Sequence, residues 1–170
     1  AEEFVNRMLK EYSIFWNLSR KKKAENIKLT YYEVSILASI VEKEQSIKVD
    51  ERPEIAGLYL NRIKRGMQLE SDPTLIFALG DFTIKRVLNK DKKVDSPYNT
   101  YMNTGLPPGP ICIPSINAID AVLNAASHEF IFMCAKEDFS GYHNFAKTYV
   151  KHLINARKYQ KMLNKRKIMR

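Results

Sequence analysis

Residues 30–45 read TYYEVSILASIVEKEQ, and this stretch decides the fold because it predicts the central helix. Leu37, Ile40, Val41 and Glu44 recur at the i, i+3, i+4, i+7 spacing of one helical face. The first three side chains are apolar and predict burial against a core. Glu44 places a carboxylate on the same face, so its position needs a specific explanation.

Glu33, at the start of this helix, has an ordinary structural role. Thr30 and Glu33 have the spacing of a capping box, in which each side chain accepts a hydrogen bond from the backbone N–H of the other residue. Glu44 has no such role. Burial of a carboxyl group raises its pKa and favours the neutral acid, which is the form that a general acid requires near neutral pH. An ion pair with an Arg or Lys from another element is the competing explanation, and Glu42, which the helix turns toward solvent, is an internal control.

Length and composition predict a single globular domain. The chain has 170 residues, enough to bury a substantial core, and 45% of them are hydrophobic. No apolar run in the sequence reaches the roughly eighteen residues of a transmembrane helix, and no signal peptide opens it. The sequence begins within a helical pattern, which we interpret as a fragment of a longer protein. Two cysteines are too few for a disulfide framework.

The net charge of +9 predicts an anionic partner or surface. Nucleic acid, phospholipid headgroups and an acidic cell-wall polymer all have this chemistry. The basic residues are concentrated in residues 20–23, 90–93 and 158–170. Runs of charge in loops and at termini are also typical of a solvated surface without a partner.

Local signals predict the helices that surround the central one. The first helix ends around Leu18, and a basic loop follows it. Pro53 suits the first turn of a second helix that stops at Gly66, and Asp72 and Pro73 open a third as its cap and first residue. Gly80 closes that helix, and an amphipathic turn covers residues 83–88.

The C-terminal half predicts a hairpin between two helices. Ser115 caps a helix, residues 130–135 form a buried strand, residues 138–141 a turn, and residues 142–145 a returning strand. A basic helix from about Lys147 completes the chain, with Val150, Leu153 and Ile154 predicted to face inward. We therefore expect a mainly helical α+β domain with a small β-hairpin or sheet and a Pro/Gly-rich active-site loop.

The Pro/Gly-rich loop spans residues 96–115, where seven proline and glycine residues exclude regular helix and central strand. Tyr98 and Tyr101 offer flat rings with hydroxyl tips that suit stacking on sugars. Asn99 and Thr100 add donors and acceptors that suit hydroxyl or N-acetyl groups. The alternative is a structural loop whose tyrosines pack inward.

The sequence lacks the motifs that are typical of metal, nucleotide-binding and serine-nucleophile sites. The spacing of His128, His143 and His152 matches no compact metal-ligand motif. The chain has no phosphate-binding loop, dinucleotide-binding glycine pattern or Gly-x-Ser-x-Gly motif. Cys112 lies between two isoleucines and is interpreted as a small buried hydrophobe, with the nucleophile of a Cys–His pair as the open alternative. We therefore predict no metal and no cofactor.

Several ungapped motifs resemble one known family. They are Leu37-Ala-Ser-Ile-Val-Glu-Lys-Glu44, Asn61-Arg62 with Gly66-Met67, Ser71-Asp-Pro-Thr74, Tyr98-Asn-Thr-Tyr101, Thr104-Gly-Leu-Pro-Pro-Gly109, Pro114 and His143-x-Phe145. In this order they resemble the endolytic peptidoglycan transglycosylases of the YceG-like family. The resemblance covers residues 29–152, and it implies that residues 1–170 are one catalytic domain.

The resemblance implies a lyase that acts on the cell wall. Family members cleave glycan strands internally, between N-acetylmuramic acid and N-acetylglucosamine, and leave a 1,6-anhydro sugar without adding water. The family's catalytic acid falls on Glu44, which would act as general acid and then as base. The resemblance together with the loop composition implies substrate-binding roles for Asp72, Tyr98, Asn99, Thr100, Tyr101, His143 and Phe145, although Asp72 is equally well explained as a helix cap.

The resemblance also implies where the protein works and with what. The full-length proteins resemble single-pass proteins of the cytoplasmic membrane, with a LysM-like region before a catalytic domain that faces the wall or periplasm. The resemblance implies that this chain corresponds to the catalytic domain, without the anchor or that region. Glycan strands are the expected partner, together with wall-synthesising enzymes.

Two competing functions remain open from the sequence alone. The chain could be a non-catalytic wall-binding module in which Glu44 is ion-paired. A nucleic-acid binder that uses the basic tail would show steep salt dependence. The separation of the tyrosine loop from the charge clusters argues against nucleic acid as a partner.

Overall fold

The computed structural model describes residues 2–168 and has the expected mainly helical α+β architecture. The helices are α1 (Glu2–Phe15), α2 (Leu18–Asn26), α3 (Tyr31–Glu44), α4 (Arg52–Lys64), α5 (Asp72–Leu79), α6 (Ile116–Leu123) and α7 (Tyr149–Lys165). Strands β1 (Phe132–Ala135) and β2 (His143–Ala146) form an antiparallel hairpin. Short 3₁₀ turns cover Val49–Glu51 and Asp91–Lys93. No helix within residues 2–168 is both long enough and apolar enough to cross a bilayer.

Helix α3 is the centre of the core, as its periodicity predicts. Leu37, Ile40 and Val41 are fully buried, and the helix packs against α4, α5 and α6. Its start is the predicted capping box: the Glu33 N–H donates to Thr30 Oγ1, and the Thr30 N–H donates to Glu33 Oε2. This burial holds the C-terminal end of α3, where Glu44 lies, in a fixed position.

Helix α4 crosses close to the segment that leads into the hairpin, and Gly57 permits this approach. A Cβ at Gly57 would overlap the carbonyl oxygen of Ala126 and lie 2.8 Å from Nε2 of His128. The Ala126 N–H donates to the carbonyl of Pro53 on the same helix. The close contact fixes the hairpin against α4.

The predicted helix boundaries are correct where turn chemistry is local. Pro53 lies in the first turn of α4, and Gly66 follows that helix with a φ of 65°. Gly80 ends α5 in the left-handed conformation that glycine adopts without strain. Ser115 caps α6 by accepting from the N–H of Ala118.

The predicted basic loop after the first helix is wrong, because residues 18–26 form α2. Asn17 caps this helix by accepting from the Arg20 N–H. Arg20 then makes two 2.9 Å bonds to the carboxylate of Asp120 on α6, and Ala24 is fully buried. These contacts between residues distant in the chain stabilise α2. Its own sequence is so polar that it lacks the apolar periodicity from which a helix is predicted.

The amphipathic turn predicted for residues 83–88 is not helical. The segment forms irregular turns, and Asp81 Oδ1 accepts from both the N–H and the hydroxyl of Thr83. Such a local bond competes with the start of a helix.

Two details of the other predicted helices need correction. Ser71, not Asp72, is the N-cap of α5, because the Asp72 carboxylate instead accepts from the hydroxyl of Tyr101. On α7, Val150 and Ile154 are exposed rather than inward, at 70% and 44% of their surface. The helix turns His152 toward the hairpin, where its ring stacks on Phe132 with centroids 5.2 Å apart.

The hairpin has the predicted antiparallel form. Phe132 pairs with Ala146 and Ala135 pairs with His143, so β2 begins opposite the end of β1. The β1 residues are only partly buried, because α7 covers one face while the other borders a cavity. This register places His143 at the edge of that cavity.

Candidate active site

A cleft of about 310 Å³ lies at the C-terminal end of α3, and Glu44 lines it. The cleft is built by residues from distant parts of the chain. Besides Glu44, these include Tyr59 on α4, Asp72 on α5, Tyr101 in the Pro/Gly-rich loop, His143 on β2 and Tyr159 on α7. The cleft therefore exists only when both halves of the chain are folded together.

The Glu44 carboxyl group has two different oxygens. Oε1 accepts from the hydroxyls of Tyr59 and Ser71, both at 2.6 Å. Oε2 has no hydrogen-bond partner among residues 2–168, and it is not one of the buried unpaired polar atoms there. Oε2 is therefore the oxygen that remains accessible from the cleft.

Burial raises the pKa of Glu44, and the negative charge of Asp72 adds to this effect. The hydrogen bonds from Ser71 and Tyr59 oppose the rise without cancelling it. A neutral Glu44 with two donors on Oε1 carries its proton on Oε2. The protonated form thus has its acidic proton toward the cleft, and the two donors on Oε1 stabilise the ionised form.

Glu42, two residues earlier on α3, has the opposite environment. Its Oε2 accepts from the N–H and the hydroxyl of Ser115, both at 2.7 Å, at the start of α6. Partial burial by itself would raise the pKa of Glu42. The bonds from Ser115 together have the larger, opposite effect, so the pKa is lowered. Glu42 is therefore a structural carboxylate, and the distinction from Glu44 follows from the helical face.

Asp72 and Tyr101 form a second polar pair in the cleft. The Tyr101 hydroxyl donates to Asp72 Oδ1 at 2.6 Å. Burial and the nearby carboxylates raise the pKa of Tyr101 far above its usual range, so the hydroxyl remains a donor. This bond joins the Pro/Gly-rich loop to the start of α5.

Arg62 stabilises the wall of the cleft between these elements. Its Nε donates to the carbonyl of Ile131 at 2.6 Å, and its Nη1 donates to Leu69 O and to Glu70 Oε2 at 3.0 and 2.9 Å. Glu70 has a φ of 51°, in the left-handed region that non-glycine residues rarely adopt. The buried guanidinium thus holds a strained residue directly before Ser71.

Comparison with known proteins identifies the family. The sequence profile of the YceG-like family matches residues 1–158. The chain belongs to the YceG-like family.

Two curated relatives are similar to most of this YceG-like chain. An endolytic murein transglycosylase of Bacillus subtilis (strain 168) is 35% identical over 158 residues, which cover 93% of the chain and 42% of that protein. One from Streptococcus pneumoniae (strain ATCC BAA-255 / R6) is 33% identical over 138 residues, which cover 79% of the chain and 24% of that protein. The chain thus spans less than half the length of these relatives.

A crystal structure has the same fold. A YceG-like protein from Listeria monocytogenes superposes with a TM-score of 0.75 at 32% identity. The match covers 90% of this chain and 48% of the other. The α+β architecture described above is therefore that of the family.

Glu44 is not ion-paired, contrary to the competing explanation from the sequence. No Arg or Lys within residues 2–168 forms a salt bridge with it. The same part of the chain contains no group of three His, Cys, Asp or Glu side chains arranged to hold a metal ion. Cys112 is a partly buried free thiol outside the cleft, and burial raises its pKa.

The four predicted loop residues have different positions. Tyr101 lines the cleft, whereas Tyr98 packs inward on Phe77 with ring centroids 4.7 Å apart. Asn99 and Thr100 are buried, at 0% and 1% exposure. Asn99 donates to two backbone carbonyls and accepts from the Tyr101 N–H. Tyr98, Asn99 and Thr100 therefore hold the loop in place, and the substrate-binding role expected for them from the sequence stays a prediction.

His143 and Phe145 lie on the same strand but differ in exposure to the cleft. His143 lines the cleft and also a second cavity beside it, whereas Phe145 lines only the second cavity. Phe145 also stacks on Phe130, with ring centroids 5.7 Å apart. The structure thus brings Glu44, Asp72, Tyr101 and His143 together.

Sequence patterns do not identify three residues that shape the site. Tyr59 has the periodicity of an apolar core residue on α4. That pattern predicts burial of its ring but not the hydrogen bond from its hydroxyl to Glu44. Ser71 belongs to the Ser71-Asp-Pro-Thr74 motif, so a signal for it was present. Glu51, which contacts His143, lies in the polar connection of residues 46–52, where the sequence predicts only a loop. Each acts through a partner that is distant in sequence.

Proposed function

We propose that this chain is the catalytic part of an endolytic murein transglycosylase and that Glu44 is its general acid and base. The observation that carries the proposal is the Glu44 carboxyl group, whose buried environment raises its pKa and leaves Oε2 facing the cleft. The names of the relatives support the reaction class. The substrate is the glycan strand of peptidoglycan, cut between N-acetylmuramic acid and N-acetylglucosamine.

The proposed reaction begins with proton transfer from Glu44 Oε2 to the glycosidic oxygen. The bond between that oxygen and the anomeric carbon of N-acetylmuramic acid breaks. The C6 hydroxyl oxygen of the same sugar bonds to the anomeric carbon, and its proton passes to the Glu44 carboxylate. The product has a 1,6-anhydro end, no water is consumed, and Glu44 regains its proton.

A single acid is sufficient for this route. Hydrolytic glycosidases use two carboxylates because one must activate water or attack the sugar. Here the nucleophile is the substrate's own hydroxyl, and such an intramolecular attack has a high effective concentration. Asp72, held by Tyr101, has a supporting role: its negative charge favours the positive charge that develops on the sugar ring.

The proposal places the activity in the cell envelope. The whole protein would be anchored in the cytoplasmic membrane with this part facing the wall, and wall-synthesising enzymes are its expected neighbours. The net charge of +9 suits an acidic wall or anionic headgroups.

The test is digestion of purified peptidoglycan, followed by mass spectrometry of the fragment ends. We expect the unmodified chain to produce 1,6-anhydro ends. Glu44→Gln should reduce their formation at least about a hundredfold, because general acid–base groups contribute at least that factor. Glu42→Gln is the matched control on the same helix and should retain activity.

The non-catalytic binding module predicts a different result. It predicts that the unmodified chain binds peptidoglycan without making anhydro ends. Anhydro ends at an undiminished rate from Glu44→Gln would instead refute the role of Glu44 while leaving the reaction class intact.

A further inference from the structure

A second cavity of about 490 Å³ adjoins the cleft, and His143 lines both. Both volumes fall in the range of about 300–1,000 Å³ that is typical of small-molecule sites. The second cavity lies between the turn before α4, the start of α4 and strand β2. A ligand that extends from the cleft past His143 would enter it directly.

The lining of the second cavity has the chemistry of a sugar site. Phe130, Tyr142 and Phe145 supply aromatic rings for the apolar faces of a pyranose. Asp50 and Glu54 supply carboxylate oxygens that accept from sugar hydroxyls. The Glu54 side chain is exposed and its carboxylate accepts no hydrogen bond within residues 2–168, because His128 Nε2 contacts only the backbone carbonyl of Glu54. The carboxylate oxygens are therefore available to a ligand.

Glu51 fixes the side chain that stands between the two cavities. Its Oε1 accepts from the backbone N–H of His143 at 2.8 Å, and its Oε2 lies 2.7 Å from Nδ1 of the same residue. Gln45 Nε2 donates to the same Oε2 at 2.6 Å and to the carbonyl of Gly141 at 2.9 Å. The Glu51 side chain is only 5% exposed, so the contact is shielded from solvent.

This contact determines which imidazole nitrogen faces a ligand. Partial burial by itself would raise the pKa of Glu51, but the bonds from His143 and Gln45 together lower it further than burial raises it. Glu51 is therefore a carboxylate, which accepts hydrogen bonds and donates none. Nδ1 of His143 must therefore carry the hydrogen. Nε2 has no partner within residues 2–168 and is not among the buried unpaired atoms, so it remains accessible where the cavities meet.

We propose that the second cavity is a saccharide subsite continuous with the cleft, and that Glu51 is the positioning residue that holds His143 at their junction. The inference rests on the proposed function, because cleavage within a strand requires sugars bound on both sides of the broken bond. His143 Nε2 binds a hydroxyl of the sugar that passes between the cavities. Glu51 contacts no ligand and acts through His143.

The first experiment measures binding by calorimetry in the Glu44→Gln chain, in which we expect no cleavage of the ligand. The probes are N-acetylated glycan fragments of two and six sugars. We expect the longer fragment to bind at least about tenfold more tightly. Adding Tyr142→Ser should remove most of that advantage and leave binding of the short fragment unchanged. Tyr12→Ser, on exposed helix α1, is the matched control.

Equal affinity for the two fragments would overturn the subsite. So would a Tyr142→Ser variant that retains the full length advantage. Because these measurements need no turnover, their failure can be distinguished from failure of the proposed reaction. Length-dependent binding without any anhydro product from the unmodified chain would refute the reaction and leave the saccharide subsite standing.

The second experiment addresses Glu51 by nitrogen NMR of His143. In the unmodified chain we expect hydrogen on Nδ1. Glu51→Gln presents an amide donor to Gln45 and His143, so we expect the neutral ring to move its hydrogen to Nε2 and the six-sugar affinity to fall about tenfold. Glu51→Asp retains the carboxylate and should preserve the original tautomer. A tautomer change without loss of affinity would refute the positioning role, and if Glu51→Gln does not fold, Glu51→Asp and Tyr142→Ser carry the test.

Discussion

The hydroxyl of Ser71 lies 2.6 Å from Oε1 of Glu44, although 27 positions separate the two residues in the chain. The contact joins the end of α3 to the start of α5. It gives Glu44 a donor that stabilises its charged form, while burial, the larger effect, raises its pKa. The strength of the proposed acid therefore depends on a balance between burial and two hydroxyl groups.

Ser71→Ala should shift the pH dependence of activity upward. Loss of the Ser71 donor raises the pKa of Glu44 further. A general acid must be protonated, so activity is lost as pH rises through that pKa, and this falling limb should move to higher pH. The maximal rate should fall about tenfold to hundredfold, because a hydrogen bond to a charged group contributes about 1.5–3 kcal/mol.

The measurement is the rate of anhydro-end formation against pH. Ser71 makes no side-chain capping bond to α5, so helix stability should change little. Ser13→Ala, which removes an exposed hydroxyl on α1, is the control. An unchanged falling limb in Ser71→Ala would contradict the assignment of that limb to Glu44.

Glu44→Gln and Glu42→Gln should have opposite effects on stability near neutral pH. The pKa of Glu44 is raised by folding, so its ionisation costs stability as pH rises from the unfolded to the folded pKa. Glu44→Gln removes this cost and should raise the Tm, by about 2–4 °C for each kcal/mol gained. The pKa of Glu42 is lowered, so its contribution is present at neutral pH and lost as pH falls through the folded pKa.

Thermal unfolding of both variants and the unmodified chain from pH 3 to pH 8 tests this prediction. Glu42→Gln should melt earlier than the unmodified chain at neutral pH, and the difference should vanish in acid. The gain from Glu44→Gln should likewise vanish in acid. A Glu44→Gln variant that is less stable at neutral pH would show that the carboxylate is not strained by burial.

Arg62→Ala should destabilise the fold strongly. The variant leaves the buried carbonyls of Ile131 and Leu69 without their donor and releases Glu70. Loss of about 3 kcal/mol is expected, because each unsatisfied buried polar group costs about 1–3 kcal/mol. Urea unfolding measures the change. Arg65→Ala, an exposed neighbour on the same helix end, should stay within about 0.5 kcal/mol of the unmodified chain.

Asn99→Ala should weaken activity without removing a ligand contact. Asn99 is fully buried and anchors the loop through the carbonyls of Lys92 and Val94 and the N–H of Tyr101. We expect a loss of about 2–3 kcal/mol in unfolding free energy and a raised KM, because Tyr101 is no longer held at the cleft. Asn103→Ala, at an exposed position in the same loop, should have a smaller effect on both. A raised KM without any loss of stability would favour direct substrate contact.

The helices with local start and stop signals are predictable from the sequence. The capping box of Thr30 and Glu33, and the glycines at positions 66 and 80, act within a few residues of the helices they delimit. Helix α2 is not predictable in this way, because Arg20 is stabilised by Asp120, one hundred positions away. The helix propensities of neighbouring residues do not reflect a contact at such a distance in the chain.

For the site, the sequence identifies Glu44, Asp72, Tyr101 and His143 but not how each is held. Asn99 and Thr100 illustrate the difference. Their polarity and loop position suit ligand binding, yet folding buries them and uses their hydrogen-bonding groups within the protein. Polarity predicts that a group needs partners, and only the packed structure shows whether those partners are internal.

The sequence by itself determined that an acidic side chain lies on the buried face of α3, because helical periodicity assigns each residue to a face. Tertiary structure decided which Glu44 oxygen accepts from Tyr59 and Ser71 and which faces the cleft. It also decided that Glu51 binds His143, 92 positions away. A hydrogen bond is weakened when the distance between donor and acceptor changes by a few tenths of an ångström. Packing of the whole core sets that distance.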